Sequence, residues 1–271
     1  MGIRTGGETF GSFRKGVDFG RAAAEYRKFR AGFPQRFFEQ LAAQLALKPG
    51  SRALDLGTGT GTVARGLAEL GLGVTAIDPS VALMHQAADL DREAGVTVEY
   101  LESRAEDLPF DNDAFDIVTA GQCWHWFDRP LAAEQALRVL KAGGWLVIAH
   151  FDWIPLSGNV VHATESLILE ANPKWLPMAG GTGIHPQWLG DMATAGFGHL
   201  QTMSFDIDQP YSHEAWIGRI KASAGIKASL DAQETDRFAE RLAEMLHNEF
   251  SEDPLAVPHR VWWVSGQKPA T

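Results

Sequence analysis

The sequence predicts an α/β protein with a doubly wound, mostly parallel sheet, and three observations carry that expectation. From Ser51 onward short apolar strands alternate with helical stretches, and the strands are too continuously apolar for a sheet with one wet face. The first of them also runs straight into a glycine-rich turn, "ALDLGTGTG" at residues 53–61. Parallel strands covered by helices on both faces read as unbroken apolar runs, and strand–helix alternation is the signature of crossover connections. Ligands of such sheets lie outside the carboxyl ends of the strands.

In chain order, residues 1 to about 20 are rich in glycine with little apolar period, and read as a loose arm. Tyr26, Phe29, Phe33, Phe37, Phe38, Leu41 and Leu45 recur every three or four residues, which predicts amphipathic helices between Arg21 and Leu47, broken at Gly32-Phe33-Pro34. Arm and helices make up an expected unit over 1–48, followed by the main domain over 49–271. Within it, strands are expected at 52–56, 73–77, 96–101, 115–120 and 144–151, with helices at 62–70, 81–94 and 131–140. After Trp153 the alternation lapses. Residues 155 to about 196, rich in Gly, Pro and Trp, are expected to form a helical insert standing over the active site. A last pair of strands, 201–207 and 260–264, brackets helices between Ser212 and Phe250.

Composition narrows the function classes. A chain of 271 residues with 45% hydrophobic and 21% charged residues is a globular mix with a substantial core. A formal net charge of −10 repels polyanions on average, so neither nucleic acid nor an anionic membrane is an expected partner. The apolar runs are strand-sized, short of the ~20 residues of a membrane helix. One cysteine, Cys123, excludes an internal disulfide and, with no apolar leader in view, suggests a reducing, cytoplasmic setting; a small buried role is expected for it.

The glycine turn points to a ligand. Glycine stands where backbone must take positive φ or approach something closely, and a strand–glycine–helix turn offers amide N–H groups at a helix N-terminus. Asp78 ends the second strand about 20 residues after Gly57, the position of a carboxylate that receives ribose hydroxyls. Together they indicate an adenosine-bearing ligand. The dinucleotide fingerprint is G-x-G-x-x-G, whereas this turn is D-x-G-x-G-x-G. A carboxylate at Asp55 would repel a pyrophosphate and favour an ammonium or sulfonium charge, which points to S-adenosylmethionine.

At these residues the chain resembles the class I S-adenosylmethionine-dependent methyltransferases, of the small-molecule type grouped with methyltransferase type 11 domains. The matching stretches are "LDLGTGTG" at 54–61, "AIDPS" at 76–80, "AEDLPF" at 105–110, "FDIVTAGQCWHWF" at 115–127 and "LRVLKAGGWLVIA" at 137–149. They cover about 100 residues; Ala142 departs from the family's usual proline. The resemblance implies a seven-stranded Rossmann-like sheet. It also implies that Gly57, Thr58 and Gly59 line the methionine part of the cofactor, with Asp55 fixing the turn, and that Asp78 holds the ribose. Ser80 and Met84 would border ribose and adenine, Ala105 and Glu106 would flank the adenine, and Gln122 would touch the methionine portion. Tyr26 and Arg30 would fold over its carboxylate.

Methyl transfer from a sulfonium is an in-line displacement whose main requirement is alignment; a base helps only when the acceptor is a hydroxyl or protonated amine. His125 in "GQCWHWF", beyond the fourth strand, is the first candidate, its alternative being to order the loop between Trp124 and Trp126. His150, ending the fifth strand, and His185, before Pro186, are secondary. No metal spacing is evident, and no metal is expected. Trp124, Trp126, Trp153, Trp175 and Trp188 fall where a pocket roof is expected, and aromatic walls favour flat or apolar acceptors. The expected activity is methyl transfer to N or O of a small organic acceptor, releasing S-adenosylhomocysteine. A C- or carboxyl O-methyltransferase, a nicotinamide-dependent reductase and a non-catalytic cofactor-binding protein stay open.

Overall fold

The computed structural model describes residues 32–176, 181–227 and 229–270, and there the strand–helix alternation stands close to where the apolar runs place it. Helix α1 (Gln35–Leu45) begins after Pro34, and burying Phe37, Phe38, Leu41 and Leu45 gives it one apolar stripe. Then come β1 (Arg52–Leu56), α2 (Thr62–Glu69), β2 (Gly73–Asp78), α3 (Val81–Ala94), β3 (Val98–Glu102) and β4 (Phe115–Gly121). A single 3-10 turn (Trp124–Trp126) leads to α4 (Arg129–Val139), which starts two residues before its apolar period because Asp128 caps it through the amide of Leu131 and Pro130 fits the first turn. The chain continues through β5 (Leu140–Trp153), α5 (Val160–Ala171), α6 (Gln187–Ala195), β6 (Gly198–Tyr211), α7 (His213–Lys221), α8 (Ala224–Lys227), α9 (Ala232–Glu249) and β7 (Leu255–Gln267).

The strands form one seven-stranded sheet in the order β3-β2-β1-β4-β5-β7-β6. β1 to β5 pair in parallel, and β7 lies antiparallel to both β5 and β6. From β1 the chain winds outward to β3 and returns to β4 on the other side of β1, so the crevice between the β1 and β4 turns is the switch point. β4 last pairs with β5 at Gly121 and Ala149; His150 to Trp153 run past it, paired only with β7. That antiparallel pairing is why β5 and β7 are longer than their apolar cores.

Side chains alternate across the sheet. Leu54, Leu56, Ile148 and Trp262 face one layer with α4 and α6, while Ala53, Val147, Val261 and Trp263 face the other with α1, α2 and α3. A third cluster, around Trp216, Ile168, Phe238, Leu242 and Val257, joins α5, α7 and α9 to the starts of β7 and the end of β6. The single insert expected over 155–196 therefore divides. α5 carries Val160, Val161 and Ile168 into the third cluster, whereas Trp188 and Met192 of α6 complete the layer under the sheet. The expected helices before residue 32 lie outside the described residues.

α1 and α2 approach so closely that Gly66, in the middle of α2, leaves no room for a side chain: an added Cβ would stand 2.2 Å from the ring of the buried Phe38. Helix propensity alone favours alanine at such a site by ~1 kcal/mol. Overpacking opposes it with about 1–3 kcal/mol. G66A is expected to lower stability in urea denaturation; a more stable G66A would show that the α1–α2 contact is loose.

Candidate active site

The β1–α2 turn is held open by its backbone and hooked to β2. Gly57, Gly59 and Gly61 all have positive φ (58°, 56° and 78°). At Gly59 an added Cβ would meet nothing within 4 Å among the described residues, so the conformation, and not crowding by them, calls for glycine. The Thr58 amide donates to the Ile77 carbonyl at 2.9 Å, and the Gly59 amide donates to Asp78 Oδ2 at 2.9 Å. Asp78 Oδ1 accepts the Ser80 amide at 2.8 Å. One carboxylate thus ties two turns together.

Asp55 lies beside it and is buried. It accepts Thr119 Oγ1 at 2.7 Å, where β1 and β4 are paired, and the backbone amide of Ala64 in α2. Burial pushes its carboxyl up to about 6, against the lowering effect of these hydrogen bonds. Asp78 is raised as well, again chiefly by burial, with the Ser80 and Gly59 amides opposing.

A second network supports the turn from behind, and its members were not singled out from the sequence. Arg65, one helical turn after Gly61, donates through Nη2 to the Thr60 carbonyl at 2.9 Å and pairs through Nε with Asp91 at 2.9 Å. Tyr100 of β3 donates to the other Asp91 oxygen at 2.7 Å. Asp91 and Tyr100 come from α3 and β3, so no local motif announces them.

On the adenine side, Ser80 caps α3 by accepting the Leu83 amide at 3.4 Å. Met84, expected to border the ligand, is fully buried in the layer with Ala76 and Ala87; one residue turns a helix by about 100°, and it is Leu83 that lies outside the three core clusters. Ala105 is buried after β3. Glu106 is held at both oxygens, by Arg104 Nε at 3.2 Å and the Asp128 amide at 2.9 Å, which fastens this loop to the start of α4.

At the end of β4, Gln122 adopts positive φ (61°), uncommon for a residue with a side chain, and its amide nitrogen donates to the Phe151 carbonyl. The buried Cys123 thiol donates to the Leu56 carbonyl at 3.1 Å. The tryptophans separate. Trp124 and Trp188 belong to the core beneath the sheet edge and do not form a pocket roof; their indole N–H groups are satisfied inside by Asp191 (3.0 Å) and His150 (3.1 Å). Trp126 is exposed beside His125, ring centroids 4.8 Å apart. Trp153 and Trp175 pack on the third cluster, with the Arg219 guanidinium 4.9 Å from the Trp153 ring and Trp153 Nε1 donating to Glu165. His150 and His185 are buried and stacked at 3.6 Å, with Asp152 beside a nitrogen of each ring. His150 and His185 are sequence candidates taken singly; Asp152 and the meeting of the three are not, because they come together only across the end of β5. Tyr26 and Arg30 lie outside the described residues.

Comparison with known proteins agrees with this geometry. Residues 54–148 match the methyltransferase domain family. An uncharacterized methyltransferase of Mycobacterium tuberculosis is 35% identical over 151 residues, covering 54% of this chain and 59% of the relative. A ubiquinone/menaquinone biosynthesis C-methyltransferase of Vibrio vulnificus is 37% identical over 112 residues, 39% of this chain and 43% of the relative. The chain thus spans about half the length of the curated relatives it matches. The structure of a candidate type II methyltransferase from Anaeromyxobacter dehalogenans superposes with a TM-score of 0.65 at 22% identity, over 90% of this chain and 100% of that one, which speaks for the fold. The hooked glycine turn and the acid-ended β2 of the seven-stranded sheet thus lie in the stretch, residues 54–148, that matches the methyltransferase domain family.

Proposed function

We propose that the protein transfers a methyl group from S-adenosylmethionine to N or O of a small organic acceptor. The observation that carries the reading is the pair of buried carboxylates at adjacent strand ends, Asp55 and Asp78, beside a turn that no described residue crowds at Gly59. Both are raised by burial, so a cation placed next to them relieves a real electrostatic cost. That donor set fits a ligand bearing an ammonium and a sulfonium and disfavours a pyrophosphate.

In this reading Gly57, Thr58 and Gly59 present backbone to the methionine portion, and Asp78 keeps free lone pairs for ribose hydroxyls on oxygens already oriented by two amides. Ser80, Leu83, Ala105 and Glu106 border the adenosine, and Gln122 faces the methionine end. Bound S-adenosylmethionine supplies an electrophilic methyl carbon with a neutral thioether leaving group. The chain's part is to orient the acceptor along the line of the breaking bond and exclude water. Trp126, Trp153 and Trp175 remain as candidate walls for a flat acceptor, and His125 stands on that side, its ring 6.0 Å from that of His150. The name of the Vibrio relative favours transfer to carbon as a second reading.

Calorimetry with S-adenosylhomocysteine tests the cofactor reading. Wild type is expected to bind, and D78N to bind about 10- to 100-fold more weakly, the scale of a lost charge-assisted hydrogen bond. No heat with this compound and tight binding of a nicotinamide nucleotide would refute it.

Asp55 gives a pH prediction for the ligand-free protein. Its folded value, about 6, lies above the ordinary 3.8, so its favourable contribution is full below pH ~4, where it is protonated in both states, and is lost as pH rises through 6. The shift corresponds to about 3 kcal/mol. Urea denaturation should show wild type losing stability relative to D55N by that order between pH 4 and 7; parallel profiles would show that Asp55 is not held in a charge-averse site.

A further inference from the structure

Three imidazoles and a carboxylate meet beside the end of β5. His150 and Asp152 leave the strand on one face, two residues apart. His185 arrives from the turn before α6, its ring 3.6 Å from that of His150 and inclined by only 21°. Asp152 Oδ2 is 2.9 Å from His185 Nε2 and 3.8 Å from His150 Nδ1. His150, Asp152 and His185 offer ligand atoms within 4.8 Å of one another, so the cluster could serve either an ion or a proton.

Trp188 decides between them. Its indole N–H can only donate, and it donates to His150 Nε2 at 3.1 Å. That nitrogen is therefore bare, and the proton of neutral His150 sits on Nδ1, facing Asp152. An ion on Nδ1 would need the lone pair which that proton occupies, and would turn an N–H on Nε2 against the indole N–H. Nearly parallel rings also direct their in-plane lone pairs side by side, and not toward one centre. The geometry thus disfavours a metal and leaves Asp152 as acceptor of the His185 Nε2 proton. His185 Nδ1, which has no hydrogen-bond partner among the described residues, is left holding a lone pair with a carboxylate behind the ring. This is how an imidazole is prepared to take a proton.

The cluster stands over the carboxyl edge. β5 overruns β4 after the Gly121–Ala149 pair, and Gln122, at the start of the β4 turn, bonds the carbonyl of Phe151 between His150 and Asp152.

We propose that Asp152 and His185 form the proton-accepting pair of the methyl transfer, with His150 a neutral spacer set by Trp188; this rests on the methyl-transfer reading above. As the acceptor oxygen or nitrogen bonds to the methyl carbon, the carbon–sulfur bond breaks and its electron pair goes to sulfur. The acceptor's proton goes to His185 Nδ1, Asp152 holds the imidazolium, and the proton then passes to water. Such a pair serves a hydroxyl or N–H acceptor; a carboxylate, already anionic, has no use for it. Other charged or titratable groups about the cluster are His125, Arg129 with its partner Asp191 behind Trp188, Arg260 with Asp206 beside Thr182, and Arg219, whose charge acts on Asp152.

The test has two arms on the full chain. In long-range 1H–15N spectra with S-adenosylhomocysteine bound, His185 should carry its proton on Nε2 and His150 on Nδ1, and one equivalent of Zn2+ should change neither. The opposite tautomer at His185, or Zn2+ capture at these nitrogens, overturns the proposal. In the second arm, tritium transfer from methyl-labelled S-adenosylmethionine into the small-molecule fraction of a bacterial extract is followed against pH. H185Q should fall about 100-fold at neutral pH while titrating S-adenosylhomocysteine like wild type, and D152N should fall with it and shift the acid limb of the profile. H185Q as active as wild type, with the acid limb unchanged, overturns the proton-accepting pair and leaves methyl transfer standing. Failure of wild type to bind S-adenosylhomocysteine overturns the methyl-transfer reading itself.

Discussion

Two carboxylates buried at neighbouring strand ends are the constraint around which the carboxyl edge of the sheet is arranged. Asp55 and Asp78 sit close enough that each one's charge disfavours the other's, and taking an uncompensated charge out of water costs several kcal/mol. Backbone amides and the Thr119 hydroxyl offset part of that. Among the described residues, no lysine or arginine forms an ion pair with either acid. In the proposed reading the charge that meets these acids is the ligand's, lying against the glycine turn. A polar but neutral edge would have folded more comfortably and bound such a ligand less well.

The turn can carry that strain because it is clamped on two sides. In front, Asp78 holds the Gly59 amide. Behind, the Arg65 guanidinium holds the Thr60 carbonyl while its own charge is met by Asp91, which Tyr100 orients in turn. The Arg65 guanidinium is thus engaged with a third acid and not with Asp55 or Asp78. Tyr100 and Ala87 also crowd Gly61 from behind, since a Cβ there would come within 2.8 Å of the Tyr100 hydroxyl. Sheet, helix α2 and helix α3 together make the turn rigid, and a preorganised backbone loses little entropy on binding.

The glycine turn and its acid-ended neighbouring strand were legible in the sequence because their determinants are local. A strand, a glycine turn and an acid at the next strand end can be read from contiguous residues, and α3 spans Val81–Ala94 as its period and its serine cap predict. Where local reading failed, the cause is rotational or non-local. Met84 and Leu83 differ by one helical step, and apolar period alone does not say which of the two enters the core layer. Trp124 and Trp188 were read as walls because they stand near loops, yet each indole N–H finds an acceptor inside the protein, and an indole so satisfied belongs to the core. The length of β5 and the division of 155–196 depend on β7, more than a hundred residues later, and no window on the sequence contains both.

In the reading proposed above the acceptor half is built from that non-local part, which lies beyond the family match. The match ends at residue 148, two positions before His150. His150, Asp152, His185 and Trp188 all lie beyond it, on the stretch of β5 that pairs only with β7 and on the connection that packs α6 under the sheet. The third apolar cluster is likewise anchored to β6 and β7 and not to β1–β4. The residues that match the family and the cluster at the end of β5 are therefore carried by separate parts of one sheet, joined at the β4–β5 pairing and at the bond from Gln122 to Phe151. On the methyl-transfer reading proposed above, substitutions on the β5–β7 side would change which acceptor is held, or whether its proton is taken, without disturbing the glycine turn. On that reading the shared motif reports the cofactor, and acceptor chemistry is carried by the residues that follow it.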